Sequence, residues 1–200
     1  MPVIAICGQP TSGSSTVAKL LAKNLKLKHF SAGDFYKKQA QKFINEKETS
    51  QRRLWRQHTV TNPLTQSTAD FLRHKVGGSV EFHEKLDAEQ VRIAKKGDVV
   101  IESKLAVHML KGIADFSVWL KCKKTERARR VAKRENLTKT ESMKILDERE
   151  AAERSTFQRI YGFDTFDQER EASLTIDTSK KKPEQIVNEI ISALRNKSLM

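Results

Sequence analysis

Gly8-Gln9-Pro10-Thr11-Ser12-Gly13-Ser14-Ser15-Thr16 has the spacing of a phosphate-binding loop, G-x-x-x-x-G-x-[ST], with Ser14 where that motif carries lysine. The apolar run Val3-Ile4-Ala5-Ile6-Cys7 before it predicts a buried parallel strand, and Val17 to Leu25 after it predicts an amphipathic helix. Strand, loop and helix together make an anion cradle. Gly8 and Gly13 let the backbone turn tightly with its N–H groups inward, and the helix start adds partial positive charge. Ser15 would offer its hydroxyl to Mg²⁺. Glycine-rich turns of this shape also bind dinucleotides, so the rest of the chain has to decide.

Two hundred residues with 38% apolar content are enough for one α/β core and need no second independent domain. The longest apolar runs are strand-sized, short of the roughly 20 residues of a membrane span, and no charged-then-apolar leader opens the chain. A soluble, cytoplasmic protein without a membrane partner is expected. Lys and Arg number 38 against 25 Asp and Glu, a net charge of +13 that attracts polyanions, whether ATP, RNA or acidic head groups. Cys7 and Cys122 both fall in predicted strands and read as small buried apolar residues. The five histidines show no metal-ligand spacing. No apolar interface stripe is visible, so a monomer is expected.

Strands alternate with helices along the chain, the pattern of a parallel sheet. His29-Phe30-Ser31 predicts a second strand, with Ala32-Gly33-Asp34 as turn and helix cap before a helix from Phe35 to Asn45. Residues 46 to 80 are irregular, with Arg52, Arg53, Arg56 and the Gly77-Gly78 bend. They read as an insert over a site. Helix returns from Glu81 to Lys96, then Val99-Val100-Ile101 predicts a central strand ending at Glu102-Ser103-Lys104. Polar residues at such a strand end are site candidates. Phe116 to Leu120 predicts the fourth strand, followed by an arginine-rich helix. Thr138-Lys139-Thr140-Glu141 opens a long polar helix as a capping box. Leu174 to Asp177 predicts the fifth strand, and Pro183 starts a closing helix with Ile186, Ile190, Ile191 and Leu194 on one face.

Lys28-His29-Phe30-Ser31-Ala32-Gly33-Asp34, Leu86-Asp87-Ala88-Glu89-Gln90, Ala94 to Glu102, Ile160-Tyr161-Gly162-Phe163-Asp164 and Ile176-Asp177-Thr178-Ser179 accompany the loop over nearly the whole chain. Together they resemble the archaeal-type cytidylate kinase family. The resemblance implies a P-loop NTPase fold: a five-stranded parallel sheet in the order 2-3-1-4-5, flanked by helices, with an NMP-binding insert and a helical lid. On that reading the core is 1–33, 97–125 and 170–200, the insert about 34–96 and the lid about 126–165. The implied activity is ATP- and Mg²⁺-dependent phosphorylation of CMP or dCMP, with Gly8 to Thr16 as the ATP-binding loop.

Ser31, Asp34, Lys37 and Lys104 are the implied acceptor-binding residues. Lys37 and Lys104 stand where the family typically has arginine, keeping the charge without the planar fork. Ser14 falls in a slot where family members often carry threonine, and Thr156 in one where they often carry a basic lid residue. Arg130, Arg149 and Arg154 are the candidate catalytic cations, able to close over the polyphosphate and stabilise developing charge. Arg149, Arg154 and Arg159 are spaced by five, so on one straight helix they diverge and on two shorter helices they could converge. The bland alternative pairs them with Glu148, Glu150 and Glu153 on a solvated face. Glu102 is the candidate for orienting Mg²⁺ through water. Other readings of the same chain are an adenylate-kinase-like or other small-molecule P-loop kinase, or a low-activity repurposed kinase that binds RNA. The net charge, Trp55 and Lys180-Lys181-Lys182 give the RNA reading its basis.

Overall fold

A computed structural model describes residues 2–35, 72–73 and 77–199. The predicted Trp55 and the basic cluster at Arg52, Arg53 and Arg56, with Lys37, lie outside the described residues. The elements in order are β1 (Val3–Gly8), α1 (Ser14–Leu25), β2 (Lys28–Ser31), α2 (Val80–Ala94), β3 (Val99–Glu102), α3 (Ala106–Met109) and β4 (Phe116–Lys121). They are followed by α4 (Lys124–Glu135), α5 (Lys139–Tyr161), a 3-10 turn (Thr165–Arg170), β5 (Leu174–Asp177) and α6 (Pro183–Asn196).

The strands form one parallel sheet in the order β2-β3-β1-β4-β5, as the resemblance implied. Alternation along β1 explains the layers. Ile4 and Ile6 face α1 and α6, where Val17, Leu21, Ile186, Ile190 and Leu194 meet them. Val3, Ala5 and Cys7 face the opposite layer, where Ala94, Val107, Leu110 and Trp119 cover them. Both faces of the central strand are therefore apolar, as a parallel sheet requires. Burial pushes the Cys7 thiol up to about 12, so it stays a neutral core group, and both cysteines are free.

Two local expectations change, and one open alternative is decided. α1 begins at Ser14, because Gly13 at φ 102° supplies the left-handed turn into it. The helix after β2 starts at Ala32, with the Ser31 hydroxyl accepting from the Asp34 N–H at 3.3 Å, so Ser31 takes the capping role expected of Asp34. α5 is one continuous helix with the predicted capping box at Thr138 and Glu141, so Arg149, Arg154 and Arg159 diverge. α3 and the 3-10 turn were not anticipated, being too short for a periodic signal.

Candidate active site

The loop closes on itself and on β4. Gln9 N–H donates to the Leu120 carbonyl at 3.2 Å, Ser12 N–H to the Gln9 carbonyl at 3.0 Å, and Cys122 N–H to the Gln9 Oε1 at 2.8 Å. A side chain at Gly8 would bring its Cβ to 2.3 Å from the Leu120 oxygen, so only glycine fits that strand exit. Thr11, at φ 62°, and Gly13 then turn the chain into α1. Among the described residues the N–H groups of Gly13, Ser14, Ser15 and Thr16 have no protein acceptor; they are the orphan donors of a helix start. The buried Ser12 Oγ also lacks a partner. This donor-rich cradle fits a phosphate chain.

The loop is braced from behind. Arg130 donates to the carbonyls of Ser12 at 2.9 Å and Thr178 at 2.6 Å, and Thr178 Oγ1 donates to the Ser12 carbonyl at 2.9 Å. Arg127, almost wholly buried, donates to the Cys122 carbonyl at 3.0 Å and pairs with Glu150 of α5. These bonds occupy the backbone acceptors of the loop and leave its donors turned the other way.

Glu102, at the carboxyl end of β3, collects three hydroxyls. Ser14 Oγ donates at 3.0 Å, Ser15 Oγ at 3.1 Å and Ser31 Oγ at 3.0 Å. Hydroxyl and carboxylate oxygens at this spacing suit a hard cation such as Mg²⁺. Ser14, in the lysine slot, therefore faces a carboxylate. Asp34 lies 3.9 Å from Lys19 in an exposed pair.

Lys104 and Arg149 come together over Glu153, at 3.2 and 2.9 Å. Glu153 is only 2% exposed. Burial alone would raise its carboxyl, but the charges of Lys104 and Arg149 outweigh that and hold it below the ordinary value. Burial lowers Lys104, with Glu153 opposing. Arg154 pairs instead with Asp164 at 2.8 Å and covers the Phe166 ring at 4.5 Å, and Arg159 donates to the Gly78 carbonyl at 2.5 Å. Thr156 is buried, its hydroxyl 3.5 Å from the Leu72 carbonyl.

Several residues here escaped the sequence reading. Glu153 was counted as a solvated partner, although its i,i+4 spacing from Arg149 was visible. Thr178 carries no signal of its own beyond the Ile176–Ser179 stretch, and only the fold brings its hydroxyl to the Ser12 carbonyl. Gln168 gave no signal: its side chain bridges the His108 N–H, the Lys104 carbonyl and the Thr165 carbonyl at 3.1, 3.0 and 2.8 Å, fixing the loop after β3.

A parallel sheet of order 2-3-1-4-5 with a phosphate loop after its central strand defines the P-loop kinases. Shikimate kinase from Acinetobacter baumannii shares the fold, with a TM-score of 0.60 at 13% identity, covering 100% of this chain and 96% of that one. Residues 3–180 match the cytidylate kinase-like family. A cytidylate kinase of Methanocaldococcus jannaschii is 34% identical over 97% of this chain and 98% of its own length, and one of Sulfurisphaera tokodaii is 34% identical over 97% and 95%. The chain belongs to the cytidylate kinase-like family and is a transferase of the nucleoside monophosphate kinase class. Among the described residues no helix is long and apolar enough to cross a membrane.

Proposed function

We propose that this protein transfers the γ-phosphoryl group of ATP to CMP or dCMP. The observation that carries the reading is Glu102, whose carboxylate joins the loop hydroxyls of Ser14 and Ser15 to Ser31 at the end of β2, so the phosphate-donor and acceptor sides meet at one group. The full-length similarity to enzymes named cytidylate kinase supports it.

Phosphoryl transfer requires two phosphates held in line, neutralised and shielded from water. The N–H groups of Gly13 to Thr16 would hold the ATP phosphates, with Gln9, Pro10, Thr11 and Ser12 shaping the cradle. Mg²⁺, when bound, would neutralise charge between the phosphates, with Ser15 and, through water, Glu102 as its protein oxygens. Lys104, Ser31, Asp34 and Lys37 would hold the acceptor phosphate. Arg149 and Arg154 would supply charge from the lid at about 126–165, and the insert at about 34–96 would enclose the acceptor. Arg130 serves by bracing the loop, since its donors are spent on loop and Thr178 carbonyls. The protein would act as a cytoplasmic monomer, and its net charge of +13 would draw RNA without sequence preference.

The test is ADP formation from ATP and Mg²⁺ with CMP, dCMP, UMP, AMP and GMP offered separately. Turnover with CMP or dCMP is expected. Turnover with AMP alone, or with none of the five, overturns the reading.

A further inference from the structure

A second polar cluster lies two helical turns beyond Glu153. α2 runs antiparallel to β3, which it precedes, so its amino-terminal half rises past the carboxyl end of the sheet. Asp87 and Gln90 are both buried on it, at 8% and 1% exposure. Gln90 Nε2 donates to Asp87 Oδ1 at 3.0 Å, and the Tyr161 hydroxyl, from the last residue of α5, donates to Asp87 Oδ2 at 2.5 Å. The bond to Asp87 fixes the amide orientation, because the reverse would set two acceptors face to face. Gln90 Oε1 is then a buried acceptor, and among the described residues it has no hydrogen-bond partner. A buried polar atom without a partner is costly, and one beside a carboxylate points to a donor that comes from elsewhere. Burial pushes the Asp87 carboxyl up to about 6, against the hydrogen bonds from Tyr161 and Gln90.

Flat walls surround these acceptors. His83, Phe157 and Tyr161 meet with ring centroids 5.6 and 6.0 Å from His83, and Phe157 to Tyr161 is 6.0 Å. Glu153, Phe157 and Tyr161 follow one another at i, i+4 and i+8 on α5. At 1.5 Å per residue the Tyr161 end stands about 12 Å from the Lys104–Glu153–Arg149 group. That span suits a nucleoside monophosphate with its phosphate at the cations and its base among the rings.

We infer that Gln90 Oε1 and Asp87 read the exocyclic amino group of the acceptor's base, and so select a cytosine over a uracil. A cytosine presents an N–H₂ donor where a uracil presents a carbonyl oxygen. The first gives the orphan acceptor its partner; the second sets oxygen against oxygen. Tyr161 is the removable part of the cover, because Gly162 follows it at φ 78° with open space around its Cβ position.

The inference rests on the cytidylate reading and is tested separately from it by calorimetric binding of CMP and UMP to the wild type and to Gln90→Leu. Leu keeps the volume and removes the orphan, so the variant should fold, as a thermal melt checks. Asp87→Asn, which turns one carboxylate oxygen into an N–H₂ donor and removes the charge, is the second variant. Expected is a wild-type preference for CMP of tenfold or more that falls at least fivefold in each variant, chiefly through weaker CMP binding. An unchanged CMP-to-UMP ratio in folded variants, equal wild-type affinity for the two, or binding of neither overturns the inference. Selective CMP binding that the variants abolish, without turnover, supports it while refuting the proposed activity.

Discussion

The phosphate loop and the contact between α2 and α5 are held in opposite ways. The loop is braced by short bonds between groups fixed elsewhere: Arg130 and Thr178 on the Ser12 carbonyl, and the Gln9 side chain on Cys122. The α2–α5 contact is made side chain to side chain, with Tyr161 on Asp87 beside a ring cluster of His83, Phe157 and Tyr161, and the chain just before α2 adds Arg159 to Gly78 and Arg73 to Glu148. A cradle for phosphate must keep its donors aligned whatever else moves. A cover must open and close, and this one holds a buried acceptor, Gln90 Oε1, that has no partner among the described residues.

The largest expected effect tests the rigid side. In Gly8→Val the new Cβ falls on the Leu120 carbonyl at 2.3 Å, and neither paired strand can yield. Little folded protein and no ATP turnover are expected; a folded variant with normal turnover would show that the strand exit is adaptable.

Glu153→Gln comes next, because it leaves Lys104 and Arg149 close together without their shared carboxylate. A destabilisation of about 3 kcal/mol at pH 7 is expected by urea denaturation. Glu153 is held below 4.5 in the fold, so its contribution is fully present above that value and is lost as pH falls through the lowered one. The penalty should therefore fade in acid. Without its counter-charge the Lys104 ammonium loses its proton more easily, so the alkaline fall in kcat/KM for the acceptor should move to lower pH. An unmoved limb would remove Lys104 from the acceptor site.

Arg130→Ala should cost about 2 kcal/mol and raise the KM for ATP more than it lowers kcat, since it loosens the loop without removing a phosphate ligand. A fall in kcat alone would make Arg130 catalytic.

Asp87→Asn gives the smallest effect and the opposite sign. Asp87 titrates near 6 in the fold against 3.8 ordinarily, so the native state holds the extra proton between those values and loses stability as pH rises through them. The variant should gain on the order of 1–2 kcal/mol above about pH 6, and nothing below about pH 4. Amide exchange should slow in α2 and the end of α5 while the loop is unchanged. Slowing in both would make the two regions one cooperative unit.

The strands, the loop and the approximate helices were legible because each rests on local pattern: a strand-length apolar run, glycines at fixed offsets, a capping box; the sheet order came only with the family resemblance. Three of the predicted groups, Ser14, Ser15 and Ser31, do meet, at Glu102. Arg130, Arg149 and Arg154 do not converge, since one straight helix sends Arg149 to Glu153 and Arg154 to Asp164, and Arg130 turns to backbone carbonyls. Side-chain direction depends on a helix's continuity and rotation, which residue spacing left open between one helix and two.

By itself the sequence determined the fold class, the phosphate loop and the family, because backbone geometry and strand burial constrain residue types locally. Only the tertiary structure decided that Glu153 is a buried hub, that Arg130 braces rather than reaches, and that Gln90 holds a buried acceptor with no partner among the described residues. Those properties arise between residues far apart in the chain, where burial and partner choice are set by packing and not by neighbours.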